Sequence, residues 1–86
     1  MKDNIEIQIV FYVLDEIAKR RKELGMSHRS LAERTRIDRS TISLIENKKR
    51  NPSLFIILKI CKALGISLAK TLRQYEKVAS KRKEKN

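Results

Sequence analysis

The sequence predicts an all-α domain built from five helices. The chain of 86 residues contains two glycines, one proline and no tryptophan, which leaves little material for the turns of an all-β fold. Leucine, isoleucine, lysine, arginine and glutamate dominate the composition instead. Apolar residues recur at spacings of three and four along much of the chain, which is the periodicity of helices that bury one face.

The length and the charge of the chain restrict the class of protein. Its 86 residues allow one compact domain, which excludes a multi-domain enzyme. A formal net charge of +11 leads us to expect a polyanionic partner. One cysteine excludes an internal disulfide, and no apolar run approaches the roughly 20 residues of a membrane span. Because the N-terminus carries acidic residues where a signal peptide would be basic, we expect a cytoplasmic protein that contacts no membrane.

The first predicted helix is long, and its start is ambiguous. Ile5, Ile7 and Ile9 alternate with polar residues as they would in a strand, yet they lead directly into a helical pattern that Gly25 ends. The sequence favours helix from about Ile5 and leaves strand as the alternative over residues 3–9.

Two short predicted helices follow, joined by a three-residue turn. Ser27 is a good N-cap for the second helix, over residues 28–35, and Asp38 for the third, over residues 39–46. Two isoleucines of the third helix lie together on one side. The opposite side carries Ser40, Ser43, Leu44 and Asn47, with Arg39 at its leading edge. One face of this helix is therefore predicted to be buried and the other exposed.

Two further helices complete the predicted domain. Ser53 caps a fourth helix that Gly65 ends, and Ser67 caps a fifth. The apolar positions that recur along the fourth helix are Leu54, Ile57, Leu58, Cys61 and Leu64. The chain then ends in a charged run without an apolar stripe. We therefore predict one domain over residues 1–79 and a basic, disordered tail over residues 80–86.

The second and third helices have the layout of a helix-turn-helix, in which the exposed face of the second helix of the pair reads DNA. A plain helical hairpin is the alternative. The charge favours the first interpretation, because residues 19–50 contain eleven basic and four acidic residues. The excess of positive charge therefore surrounds the third helix.

Four segments between Ile17 and Leu72 carry a resemblance to a known family: RRKELGMS, SLAERTRIDRSTISLIEN, KKRNPSL and ILKICKALGISL. With these segments the chain resembles the Xre family of helix-turn-helix regulators, which includes lambdoid phage repressors and Cro. A likeness to controller proteins of restriction-modification systems rests on DRSTIS, IEN and RNPS, and a likeness to phage repressors on KRRKELGMS. The resemblance implies a lambda-repressor-like DNA-binding domain, here with an N-terminal extension of the first helix and a basic C-terminal tail.

The resemblance also implies roles for individual residues. Members of the family read bases with the start and the outer face of the third helix, which here gives Arg39, Ser40, Ser43 and Leu44. The expected phosphate contacts are Ser27, His28, Arg21, Asn47, Lys49 and Arg50. Where this chain has His28 the family often has Gln, so a solvated histidine without a role is the alternative at that position.

Two departures from the family pattern fall in the turn. The family commonly has Gly at the position of Arg36, because a left-handed backbone is needed there, so we expect strain or a shifted turn. A buried aliphatic residue is usual at the preceding position, where this chain has Thr35. We therefore expect looser packing of the second helix.

An ion pair is expected between Arg21 and Glu46. Phage repressors often pair residues at these two positions, and Arg21 interrupts an otherwise inward apolar stripe. An unpaired charge there would be expensive, so a buried or half-buried pair that orients the third helix is the economical explanation. Two separate solvated charges are the alternative.

Apolar residues at both ends of the chain predict a homodimer. Family dimers commonly associate through the end of the domain, and the N-terminal extension lies largely outside the shared core. The expected interface residues are Ile5, Ile9, Tyr12, Leu68, Leu72 and Tyr75. The alternative is that these side chains complete the core of the monomer.

The sequence predicts a transcriptional regulator that binds a specific double-stranded DNA sequence, as a repressor or an autoregulator. It offers no support for an enzyme, a metal site, a cofactor or a small-molecule effector, since it has one histidine, one cysteine and no glycine-rich phosphate loop. Cys61 is expected to be a core residue. The rival interpretation is a protein-interaction module, such as an antitoxin-like partner, that uses the same helices to bind another protein.

Overall fold

The computed structural model describes residues 4–85, with side chains through residue 82, and contains five helices and no strand within that range. They are α1 (Ile5–Glu23), α2 (His28–Thr35), α3 (Arg39–Glu46), α4 (Leu54–Leu64) and α5 (Leu68–Lys85). The predicted all-α fold is confirmed. Residues 1–3 and 86 lie outside the described residues, so the sequence predictions that fall on them stay predictions.

Side-chain caps place the starts of the helices. Ser27, Ser53 and Ser67 each accept a hydrogen bond from the backbone N–H three residues further on, at 3.0, 3.1 and 3.2 Å. Asn4 does the same for the N–H of Ile7 at 3.1 Å. Because this cap starts α1 at Ile5, the alternating isoleucines that follow are helical, and the strand alternative is wrong over residues 5–9.

Asp38 occupies the N-cap position of α3, but its carboxylate accepts no hydrogen bond from the backbone of the first turn. The predicted capping interaction is therefore wrong, although the predicted start of the helix is right. Asp38 is exposed, so water can satisfy the N–H groups of this turn.

The core is one cluster of apolar side chains to which the first four helices contribute. The largest side chains that are fully buried in this cluster are Leu14, Ile17, Leu31, Ile42, Ile45, Ile60 and Leu64. Helix α1 packs against α3, α4 and α5, and α2 packs against α3 and α4. Cys61 is buried in this cluster as a free thiol, as predicted, and burial raises its pKa.

Helix α4 differs from the sequence prediction in which of its apolar residues it buries. Ile57, Ile60, Cys61 and Leu64 form the buried stripe, while Leu54 and Leu58 are exposed together with Phe55. At about 100° per residue, these three side chains share a flank of the helix roughly a quarter-turn or more away from the stripe. Periodicity misassigned the stripe because the first turns of α4 are apolar on nearly all sides.

Helix α5 continues through Lys85, where the sequence predicts a disordered tail from residue 80. The residues beyond 80 are mostly Lys, Arg and Glu, which favour helix without any buried partner. The helix therefore runs across the predicted boundary at residues 79 and 80 without a break.

The turn between α2 and α3 passes through a left-handed residue. Arg36 has φ 61° and ψ 31°, and its N–H donates to the carbonyl of Ala32 at 2.7 Å. The helix therefore ends in the conformation that glycine adopts most easily, and the arginine carries the strain that the sequence predicts.

We expect Arg36→Gly to raise the free energy of unfolding by about 1 kcal/mol, because glycine removes the left-handed strain, with part of the gain offset by greater freedom in the unfolded chain. Urea denaturation followed by circular dichroism measures the change. Arg34→Gly is the matched control, since it removes the same side chain from inside α2 and should cost about 1 kcal/mol. Equal losses from both substitutions would show that the turn is not strained.

Candidate nucleic-acid interface

The turn between α2 and α3 is anchored from both sides. Ile37 is buried in the core, and the hydroxyl of the buried Thr35 donates to the carbonyl of Leu31 at 2.8 Å. The same hydroxyl oxygen accepts the N–H of Ile37 at 3.3 Å. Thr35 therefore replaces the usual aliphatic residue with a satisfied polar one, which ties the end of α2 to the turn.

Helix α3 separates into a buried and an open side. Ile42 and Ile45 are almost fully buried, which fixes the rotation of the helix about its own axis. The opposite side holds the predicted base-reading residues Arg39, Ser40, Ser43 and Leu44, of which Ser43 is half-buried and the other three are exposed. The structure thus brings all four to one accessible face, as the helical spacing predicts.

An open cleft of about 410 Å³ lies where this face meets the start of α2. It is lined by Ser27, His28, Arg29, Arg39, Ser40 and Ser43. All of these side chains are polar or basic, and the N-terminus of α2, with the positive end of its helix dipole, lies beside them. The cleft therefore combines hydrogen-bond donors with positive charge, which is the chemistry that attracts an anion.

Glu46, the last residue of α3, accepts hydrogen bonds from two other helices. Arg21 on α1 donates from Nε to Oε2 at 2.8 Å and from an Nη atom to Oε1 at 2.9 Å, which is a bidentate pair. The Arg21 side chain is 11% exposed and that of Glu46 7%. The remaining Nη of Arg21 donates to the carbonyl of Met26 at 2.7 Å.

His28 is the second partner of Glu46, with Nε2 3.0 Å from Oε1. Burial alone raises the pKa of the Glu46 carboxyl, but the hydrogen bonds and charges of Arg21 and His28 outweigh burial and lower it below its usual value. The sequence did not predict this contact, because no local pattern links the first turn of α2 to the end of α3. One signal could have indicated the contact between His28 and Glu46. His28 is a polar residue in the first turn of α2, and the helix-turn-helix layout brings that turn close to the expected Arg21–Glu46 pair.

The geometry of Arg21 separates its two predicted roles. All three of its nitrogens donate to Glu46 or Met26, and the side chain lies inside the domain. The structure therefore brings Arg21 to its expected ion-pair partner. It does not bring Arg21 to the surface that holds the other predicted phosphate contacts.

The loop after α3 extends the basic surface. Lys49 and Arg50 are exposed, and Asn47 donates from its side-chain amide to Ser43 Oγ at 3.4 Å. Lys48 differs from its neighbours, because its ammonium lies 2.7 Å from Asp15 on α1 and 5.2 Å from the centre of the Phe11 ring. Lys48 also has a positive φ of 63°. The backbone here turns Lys48 back onto α1, while Lys49 and Arg50 stay exposed and Arg50 donates from an Nη atom to the Thr41 hydroxyl at 3.5 Å.

The predicted dimer residues lie along the seam between α1 and α5. The rings of Tyr12 and Tyr75 meet edge to face at 5.4 Å, and the Tyr75 hydroxyl lies 3.3 Å from Oε1 of Gln8. Leu68 packs against the core and Ile9 is half-buried. Ile5 and Leu72 remain exposed, as does Val78, which lines a surface groove together with Ile5. The N-terminal extension therefore packs on α5 of its own chain and leaves an apolar margin open.

This arrangement of two short helices, a tight anchored turn and an exposed polar face defines a helix-turn-helix domain. The helix-turn-helix family matches residues 17–71, which is more than half of the chain. The chain therefore belongs to the Xre-like helix-turn-helix family of DNA-binding transcriptional regulators. This family is a class of regulators rather than of enzymes.

Two curated relatives agree with this assignment. The chain is 43% identical over 49 residues to an uncharacterized HTH-type transcriptional regulator of Methanothermobacter thermautotrophicus, a match that covers 57% of this chain and 71% of the relative. It is 41% identical over 64 residues to the control protein C.MunI of a Mycoplasma species, covering 73% of this chain and 86% of the relative. No solved structure matches the chain.

Two further features are absent from the described residues. No helix there is long and apolar enough to cross a membrane. The same residues contain no cluster of histidine, cysteine or acidic side chains that could hold a metal ion.

Proposed function

We propose that the chain recognises a specific sequence in double-stranded DNA by placing α3 in the major groove, and that it acts as a repressor or an autoregulator. The observation that carries this proposal is the exposed face of Arg39, Ser40, Ser43 and Leu44. An arginine fork can bind a guanine edge, serine hydroxyls can bind most bases, and leucine can contact a thymine methyl group. The similarity to a control protein supports a regulatory role.

Phosphate contacts would hold the domain in register on the duplex. Ser27 and His28 lie at the start of α2, while Asn47, Lys49 and Arg50 lie at the other end of α3. These two groups flank the reading face, so they can bind the backbone on either side of a groove. Phosphate contacts supply affinity and register, and the reading face supplies the sequence preference.

The experiment that tests this function is selection of bound fragments from a random pool of duplex DNA. A shared motif should emerge, and the affinity for it should exceed that for a scrambled duplex by about a thousandfold or more. The affinity should also fall steeply as salt rises, because phosphate binding releases counterions. A shallow salt dependence without any motif would favour the rival role as a protein-interaction module, for which the exposed Leu44 would serve as a contact.

We propose further that the protein acts as a homodimer, in which the margin between α1 and α5 of one copy packs on the same margin of the other. The proposed interface residues are Ile5, Ile9, Tyr12, Leu68, Leu72 and Tyr75. Exposed apolar residues along this margin support the proposal, because a two-fold axis there would cover them in both copies. Such a dimer would place the two reading helices one DNA turn apart, at about 34 Å or 10 base pairs.

The dimer prediction is tested by sedimentation equilibrium at tens of micromolar protein. Wild type should be dimeric, while Leu72→Asp and Ile9→Asp should be monomeric and still helical by circular dichroism. Leu58→Asp is the matched control, since it places the same charge on the exposed flank of α4 and should leave the dimer intact. If the Leu58→Asp variant is monomeric, the dimer interface includes the exposed flank of α4 and the proposed interface is wrong. A monomeric wild type that binds single half-sites as tightly as paired ones would reject the dimer.

A further inference from the structure

His28 combines two features that bear on how DNA is bound. Its Nε2 atom is 3.0 Å from Glu46 Oε1, and its side chain, 30% exposed, also lines the cleft beside the reading face. One edge of the ring is thus held by the interior of the domain while another part of it meets solvent. The residue joins the proposed DNA surface to the carboxylate that holds α1 and α3 together.

The protonation of Glu46 determines what Nε2 must do. The lowered pKa of Glu46 keeps it a carboxylate near neutral pH, and a carboxylate only accepts hydrogen bonds. Nε2 must therefore carry the proton and donate. In the neutral ring the other nitrogen, Nδ1, then has no proton and acts as an acceptor.

A phosphate oxygen is also an acceptor, so it cannot form a hydrogen bond with Nδ1 of this neutral ring. Only the imidazolium form donates from both nitrogens at once, so that Nε2 can bind Glu46 while Nδ1 donates to an anion. The positive charge of this form also favours a phosphate. Contact between His28 and phosphate in this geometry therefore requires the imidazolium form, which holds one proton more than the neutral ring.

We propose that DNA binding by this protein takes up one proton per subunit at His28, which bridges Glu46 and a backbone phosphate as an imidazolium. This inference rests on the proposed DNA-binding function and specifies how one of its phosphate contacts works. It makes His28 a phosphate-binding residue that also ties the start of α2 to the end of α3. It also makes DNA affinity increase as pH falls across the neutral range.

The charged groups around the ring act in opposite directions. Glu46 on α3 and the incoming phosphate favour the imidazolium, whereas Arg29 on α2 and Arg39 on α3, which line the same cleft, oppose it. Arg21 on α1 offsets part of the charge of Glu46, because it forms a bidentate pair with the same carboxylate. The phosphate is the one member of this set that arrives with the DNA, so it determines the change in protonation on binding.

The composition of the chain makes this proposal easy to test. His28 is the only histidine in the sequence, and histidine is the one side chain that ordinarily titrates between pH 5 and 8. Affinity for a duplex fragment recovered from the random pool, and for a scrambled duplex, would be measured from pH 6 to 8 at constant salt. Isothermal titration calorimetry in buffers of different ionisation enthalpy counts the protons taken up.

Wild type should bind both duplexes more tightly as pH falls, by up to about tenfold per pH unit for each subunit, with a proton uptake that approaches one. His28→Gln is the matched variant, because its amide can donate to a phosphate without titrating. This variant should bind DNA with little pH dependence and no proton uptake. An NMR titration of the ring should show that the imidazolium form persists to higher pH in the complex than in the free protein.

The outcomes separate this inference from the function on which it rests. No DNA binding at any pH would reject the proposed function itself. Tight, sequence-selective binding with no proton uptake would leave the function intact and overturn the role of His28. Equal uptake by wild type and His28→Gln would assign the proton to another group and would also overturn it.

Discussion

The substitution Glu46→Ala is expected to lower the free energy of unfolding by about 3 kcal/mol. Glu46 accepts two hydrogen bonds from Arg21 and also contacts His28. The side chains of Arg21 and Glu46 are both nearly buried. Removal of the carboxylate leaves the Arg21 guanidinium inside the domain with the Met26 carbonyl as its remaining partner. A buried charge that loses its counter-ion destabilises a protein far more than the loss of an exposed pair.

Urea denaturation at neutral pH measures this effect. Asp15→Ala is the matched control, because it removes a carboxylate from the Lys48 pair, in which Asp15 is 63% exposed. That control should cost less than about 1 kcal/mol. If the two variants lose similar small amounts, the Arg21–Glu46 pair is solvated in solution and does not hold α3 in place.

The same carboxylate should make stability depend on pH in acid. Because the folded protein lowers the pKa of Glu46, its contribution is complete above the ordinary carboxyl pKa of about 4.3. The contribution is lost as pH falls through the lower pKa of the folded state. The stability difference between wild type and Glu46→Gln should therefore shrink below about pH 4. A difference that stays constant into strong acid would show that the carboxylate is not stabilised in the folded state.

Arg39→Ala is expected to weaken binding to the best DNA site by about 1 to 3 kcal/mol and to relax the preference at one base pair in each half-site. Arg39 is the first residue of α3, it is exposed, and it forms no ion pair with any other described residue. Its guanidinium fork is therefore available to the O6 and N7 acceptors of a guanine in the major groove.

Competition binding against a set of single-base variants of the selected site measures both effects. Lys49→Ala is the control, since a phosphate contact should weaken binding to every sequence by a similar factor and reduce the salt dependence. If Arg39→Ala also weakens all sequences equally, Arg39 contacts only the DNA backbone.

The parts of the fold that follow from local chemistry were predictable. Serine caps at positions 27, 53 and 67 and the left-handed Gly65 place the helix ends within the residues that the sequence indicates. The exposed face of α3 was predictable for the same reason, because helical spacing alone places Ser40, Ser43 and Leu44 opposite the buried isoleucines, with Arg39 at the leading edge of that face.

The features that the sequence did not predict depend on contacts between distant elements or on ambiguous patterns. The contact of His28 with Glu46 requires the packing of α2 beside the end of α3, which no local pattern encodes. Leu58 was counted in the recurring apolar stripe and Ile60 was not, because the unbroken apolar run over residues 54–58 leaves the phase of the helix undetermined. Beyond residue 80, low hydrophobicity indicated disorder although helix propensity is high.

The two sides of α3 should differ in how freely they accept change over evolutionary time. Ile42, Ile45 and Glu46 are held by the interior and by α1, so substitutions there carry a large cost in folding. The outward residues, Arg39, Ser40, Ser43 and Leu44, take no part in the core cluster. A lineage could therefore exchange these four side chains, and with them the proposed DNA target, while it keeps a folded domain throughout.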